Sequence, residues 1–228
     1  PTPTAVGPRQ LWPTLPPASA AAEDYGSGRT EVVKGLKVPQ GDLHRVTPVA
    51  VVRAQAKAHP TVYKNVVAGL ARCGEPGKKG PGCPVLDAYY ADVTGDGKDD
   101  MIVGFKASKN QFVVQIYMYT DGRPVMIMED EDSVISVRLA GRNLVVRAAA
   151  DLPGYEYRTS WTYDRHQHAM LPTREDIVRT AAPPSAGVSP SASPLPEPPS
   201  VVPQSPSAAS HAPASSSPAS PSPSPSSP

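Results

Sequence analysis

The spacing of apolar residues changes once along this chain, from a helical repeat to a two-residue alternation. Thr47-Pro48 reads as an N-cap followed by proline at the first helical position, and a helix then runs over 49–58 until His59-Pro60 stops it. Thr61 opens a second helix in which Tyr63, Val66, Val67 and Leu70 form one apolar face. From Val85 onward the pattern predicts strands over 85–92, 101–106, 111–119, 124–129, 133–139, 143–149 and 155–164. Turn signals such as Thr120-Asp121-Gly122-Arg123 separate them, and such short connections favour an antiparallel meander. Thr173 with Asp176 resembles a capping box and predicts a short closing helix over 173–179. The fold class is therefore α+β: two N-terminal helices packed on an antiparallel β-meander of about six or seven strands.

Alternation also sorts side chains between core and water. In 155–164, Tyr155, Tyr157, Trp161 and Tyr163 share the core face, while Glu156, Arg158, Ser160, Thr162 and Asp164 face solvent. In 111–119, Phe112, Val114, Ile116 and Met118 make the apolar face and leave Tyr117 and Tyr119 beside Gln115 on the other. Exposed there, the two tyrosines are candidate partner-binding residues, able to stack on sugars or anchor a protein. The plainer reading is a cross-strand aromatic pair.

Composition limits the foldable part to the middle. The chain has 30 prolines in 228 residues, most of them at the two ends. Residues 182–228 form a Pro/Ser/Ala-rich tail with no hydrophobic period, and residues 1–28 a shorter Pro/Ala-rich linker holding Trp12 and Leu15 as isolated apolar residues. Both are expected to be disordered, with the globular domain at 29–181. A net charge of +1 leaves no electrostatic footprint for nucleic acid. No apolar run approaches the length of a membrane span. The first residue is Pro1 rather than Met, which predicts that an upstream export or anchoring segment has been removed and that any membrane anchoring goes through it.

The segment Asp92-Val-Thr-Gly-Asp-Gly-Lys-Asp-Asp100 carries the sharpest chemistry. Oxygen-bearing side chains at Asp92, Thr94, Asp96 and Asp100, with the backbone carbonyl of Lys98, form most of the ligand set of a hard-cation loop, and Gly97 sits where such a loop folds sharply. Calcium is the ion that set would take, as a structural cofactor. The loop departs from an EF-hand, since Thr94 stands at an Asp/Asn position, Val103 at the place of the bidentate Glu, and strands flank it. It resembles the FG-GAP or VCBS type of loop joining two antiparallel strands, here in a single copy. The other reading is a hairpin turn whose carboxylates are solvated and cap backbone amides.

Cys73 and Cys83 bracket a Gly/Pro-rich loop that a disulfide would staple, the alternative being two thiols in a reducing compartment. Closure is worth roughly 2.5–3 kcal/mol in the chain-entropy model. His166 and His168 read as part of a polar hairpin, and the run Glu129-Asp130-Glu131-Asp132 as a solvated turn at a strand end. There is no G-x-S-x-G turn, Walker loop or dinucleotide fingerprint, so the expectation is a protein that is not an enzyme.

The residues 41–54, then His59-Pro60, then Tyr89-Tyr90-Ala91-Asp92-Val93-Thr94-Gly95-Asp96-Gly97, then Pro153-Gly154-Tyr155-Glu156-Tyr157-Arg158-Thr159, together resemble actinomycete extracytoplasmic lipoproteins of the CseA type. The resemblance covers about residues 30–180. It implies an extracytoplasmic protein of the cell envelope, membrane-anchored or secreted, that restrains signalling by an envelope-stress sigma factor and its two-component system. The partner it implies is the sensor kinase ectodomain; the alternative is a calcium-dependent module binding cell-wall glycan through Tyr117 and Tyr119. A mature member would begin with a lipidated cysteine, whereas this chain begins with Pro1.

Overall fold

The computed structural model describes residues 7–15, 30–74 and 80–180. The tail 182–228 and most of the segment 1–28 lie outside them.

Two helices and ten strands in two antiparallel sheets give an α+β fold. Helix α1 spans Pro48–Ala58, and the Thr47 hydroxyl accepts from the amide of Ala50 at its start. Helix α2 spans Lys64–Leu70, beginning three residues later than Thr61 because 61–63 form a turn. The first sheet is ordered β2 (Glu31–Val32), β6 (Arg123–Asp132), β5 (Phe112–Thr120), β4 (Asp100–Lys106), β3 (Tyr89–Ala91). The second is ordered β1 (Arg9–Leu11), β7 (Val134–Ala140), β8 (Asn143–Ala149), β9 (Tyr155–Asp164), β10 (Ala169–Arg179). The expected meander is thus cut at Ser133 into two sheets, and each gains an edge strand from the N-terminal segment.

Two cores lie on either side of the first sheet. Val51, Val52, Val66 and Leu70 of the helices meet Met101, Val103, Phe105 and Tyr117 on one face. On the other face Ile102, Val114, Ile116 and Ile127 meet Val137, Leu144, Val146 and Trp161 of the second sheet. The layers therefore run helices, first sheet, second sheet, with the outer face of the second sheet left to water.

Three expectations need correction. Within the segment read as linker, Arg9–Leu11 pairs with β7, Leu11 and Trp12 are buried, and the Trp12 indole N–H donates to the Asp87 carbonyl at 2.9 Å. The reason is a vacancy in β4: a Cβ at Gly104 would lie 2.6 Å from Phe112 and 2.8 Å from Trp12, so the missing side chain admits both rings. The closing helix over 173–179 is instead the second half of β10, paired with β9 through Arg179↔Tyr155 across a bulge between Pro172 and Arg174. Thr173, read as a cap, donates to the Ser160 carbonyl at that bulge; a short helix would forfeit the ladder of β9. The acidic run 129–132 is not a solvated turn but the end of β6, with Asp130 and Asp132 buried.

Candidate functional site

The loop 92–100 joins β3 to β4 and is held by its own carboxylates. Asp92 Oδ1 accepts from the amides of Gly95 at 2.6 Å and Asp96 at 3.1 Å, and its Oδ2 from Gly97 at 3.2 Å. Asp100 Oδ2 accepts from Val93 and Thr94, both at 2.9 Å, and Asp96 Oδ1 from Lys98 at 2.8 Å. Gly95 and Gly97 supply the left-handed backbone, at φ of 77° and 83°, that turns these amides inward. Burial pushes the Asp100 carboxyl up to about 6, against the Thr94 and Val93 amides that favour its ionised form.

A cation from the second sheet already stands at this loop. Arg142, in the turn between β7 and β8, places its guanidinium 3.6 Å from Asp92 Oδ2, and a Cβ at Gly95 would collide with it. On the other flank the His44 ring stacks on Tyr90 at 3.8 Å and reaches Asp99 Oδ2 at 3.0 Å. The Lys98 ammonium sits 4.5 Å above the Tyr119 ring, which also lies against Gly41. Tyr119, half-buried, thus helps pin the loop to the turn at 39–45.

Tyr117 is fully buried, so the expected exposed tyrosine pair does not exist. Its hydroxyl donates to Gln115 Oε1 at 2.6 Å. The Gln115 amide donates to the Tyr63 hydroxyl at 2.6 Å and to the Glu129 carboxylate, and Tyr63 donates to Glu129 Oε2 at 2.9 Å. Alternation identified two faces of β5 correctly but could not show that helices cover the polar one. Burial, reinforced at Tyr63 by the Glu129 charge, pushes both phenols above their ordinary range and keeps them as proton donors. A glycan platform at Tyr117 and Tyr119 loses its central ring.

Cys73 and Cys83 are bonded, closing the loop after α2. Asp130 is pushed up to about 7 by burial and by the neighbouring charge of Asp132. His166 and His168 lie in the turn between β9 and β10, where Asp164 accepts from the amides of His166 and Gln167, both at 2.8 Å. Among the described residues no three His, Cys, Asp or Glu side chains gather as a metal cage. None of their helices is long and apolar enough to cross a membrane.

Searches against protein-family models, curated proteins and solved structures found no match.

From sequence, no functional role attached to Arg138, Arg147 or Arg174, and Arg158 stood only as a solvent-facing residue. All four line one depression of about 290 Å³ on the second sheet. The signal was present for three of them, since alternation along 133–139, 143–149 and 155–164 puts them opposite the apolar positions. Arg174 lay inside the expected helix.

Proposed function

We propose that this chain is a non-enzymatic, extracytoplasmic protein of the cell envelope that acts by binding, restraining envelope-stress signalling at the ectodomain of a sensor kinase. The observation that carries its location is the Cys73–Cys83 bond, because staples of this kind form and persist in oxidising compartments. The signalling role rests on the resemblance of residues 30–180 to CseA-type lipoproteins. The structural use of the acidic loop, whose carboxylates hold backbone amides, supports a scaffold rather than a catalyst. Deleting the gene should raise the activity of an envelope-stress sigma-factor reporter in unstressed cells. A photocrosslinker at exposed Val67 should trap the sensor kinase. An unchanged reporter, or adducts with peptidoglycan alone, would overturn the reading.

Calcium enters the same reading as a structural ion. Asp92, Thr94, Asp96, the Lys98 carbonyl and Asp100 are an all-oxygen donor set suited to a hard cation. Asp96 is exposed, whereas Asp92 is shared with Arg142, so ion and guanidinium would compete for the same carboxylate. The bound ion would stiffen the β3–β4 connection.

A further inference from the structure

The outer face of the second sheet holds a row of arginines whose arrangement is not explained by holding the fold together. Arg147 on β8 and Arg158 on β9 stand directly opposite one another. That pairing sets like charges roughly 4.5–5.5 Å apart at Cβ and destabilises a sheet unless an anion relieves it. Glu156 supplies part of that relief: it is buried, meets Arg147 through 2.8 and 2.5 Å bonds, and lies 3.9 Å from Arg158. Asp176, opposite Arg158 in the ladder, turns to Arg174 at 2.8 Å. Arg138 on β7 makes no ion pair among the described residues. At the depression itself, four guanidinium groups meet two carboxylates, Glu156 and Asp176, a local excess of two positive charges.

The positions between the arginines are small or neutral. Ala140, Val145 and Ser160 floor the depression, and Val145 pairs with both Arg138 and Ser160. The volume of about 290 Å³ lies at the lower limit of ligand pockets, enough for one compact anionic group and its ester substituent. Arginines from four neighbouring strands, β7, β8, β9 and β10, line this one depression. That suits a tetrahedral oxyanion, whose oxygens spread in space, better than a planar carboxylate, which two forks saturate.

We propose that this depression binds a phosphate monoester or diester group, with Arg138 and Arg158 as its principal contacts and Arg174 recruited from Asp176. The assignment does not depend on the cell-envelope reading. Free phosphate and the headgroup of an anionic lipid share this chemistry.

The test is a titration of the full chain at low salt with inorganic phosphate, followed by arginine side-chain NMR shifts, beside co-sedimentation with phosphatidylglycerol and phosphatidylcholine vesicles. Phosphate should shift the signals of Arg138 and Arg158, and Arg138→Ala with Arg158→Ala should weaken binding about tenfold or more. Asp176→Asn should strengthen it by releasing Arg174, and Arg158→Lys should weaken it although the charge is kept, which a nonspecific charge effect would not produce. Sedimentation with phosphatidylglycerol but not phosphatidylcholine, competed by phosphate, would name a lipid headgroup as the source. Phosphate binding without sedimentation would name a free ester. Arg45→Ala, on a distant turn, is the control. If no arginine signal moves at about 20 mM phosphate and neither vesicle binds, or if Arg45→Ala weakens binding as much as the double variant, the site does not exist.

Discussion

The two sheets have the same strand pairing but different surroundings, and their sequences differ accordingly. The first is covered on both faces, so β4 reads Asp-Met-Ile-Val-Gly-Phe-Lys with its first six positions buried in a row. The second is covered on one, so β8 reads Asn-Leu-Val-Val-Arg-Ala-Ala with burial alternating. What differs most is the fate of polar side chains. On the helix face of the first sheet, Gln115 and Tyr117 are tied to one another and to Tyr63 and Glu129. On the outer face of the second, Arg138, Arg158 and Arg174 retain solvent-accessible donors. A doubly covered sheet turns polar residues into internal struts, and a singly covered one leaves them available for recognition.

The comparison is tested most severely by matched truncations. Ile116 in β5 is fully buried between the sheets, and Ile116→Ala should cost about 3–4 kcal/mol in denaturant unfolding, from lost burial and the cavity left behind. Val145 lies half-buried on the outer face, and Val145→Ala should cost less than about 1 kcal/mol. Equal losses would mean that the outer face is covered in solution.

The same asymmetry governs how much could be read from sequence. Strands β7, β8 and β9 of the second sheet were legible almost to the residue, because one dry face and one wet face produce alternation there, although Glu156, expected on the wet face, is buried against Arg147, and β1 was read as linker. Strand β10 was not legible: no strand was expected over 169–172, and over 173–179 Thr173 and Asp176 mimic a helix start that only pairing with β9 overrules. In the first sheet β3, β4, β5 and β6 were found and β2 was not, and the partner of each face stayed unread. A Tyr117 covered by helices and a Tyr117 on an open face have the same local sequence. At the candidate loop, Asp92 and Asp96 stood out through spacing, while Arg142 comes from a turn of the other sheet, some fifty residues away in the chain. Long-range partners of that kind leave no local signal.

Next in size is the staple below α2. Reducing Cys73–Cys83, or replacing both by serine, should lower stability by roughly 2.5–3 kcal/mol, since it restores loop entropy to the unfolded chain. Calorimetry with and without reductant measures the difference, and an unchanged melting temperature would show that the loop is held by other contacts.

A smaller effect comes from the acidic end of β6. Asp130 has a folded value of about 7, above the ordinary carboxylate value near 3.9. Between those limits the native state retains a proton that the unfolded chain has released, so this group's contribution falls as pH rises from about 4 through 7. A shift of about three units sets a ceiling near 4 kcal/mol, and about half of that is expected after local relaxation. Asp100, raised to about 6, contributes in the same direction. Asp130→Asn should stabilise the protein at pH 8 by about 2 kcal/mol and flatten its pH profile between pH 5 and 8. A profile with the same slope as the wild type would show that Asp130 is not the titrating group.

The smallest effect belongs to the loop that bridges the two sheets. If calcium joins Asp92, Thr94, Asp96, the Lys98 carbonyl and Asp100, the native state gains RT ln(1 + [Ca]/Kd), a few tenths to about 1 kcal/mol at millimolar calcium and millimolar affinity. Arg142 makes this prediction sharper than a simple melt, because its guanidinium already neutralises Asp92. Arg142→Ala should destabilise the protein slightly in chelator and enlarge the calcium-induced rise in melting temperature, as the vacated carboxylate becomes available to the ion. Asp96→Asn should abolish the rise in either background while leaving the chelated melt almost unchanged, because Asp96 is exposed and its side chain accepts only from the nearby Lys98 amide. No calcium response in wild type or in Arg142→Ala would identify the loop as a turn closed by its own amides and one arginine, with the junction of the two sheets stiffened without metal.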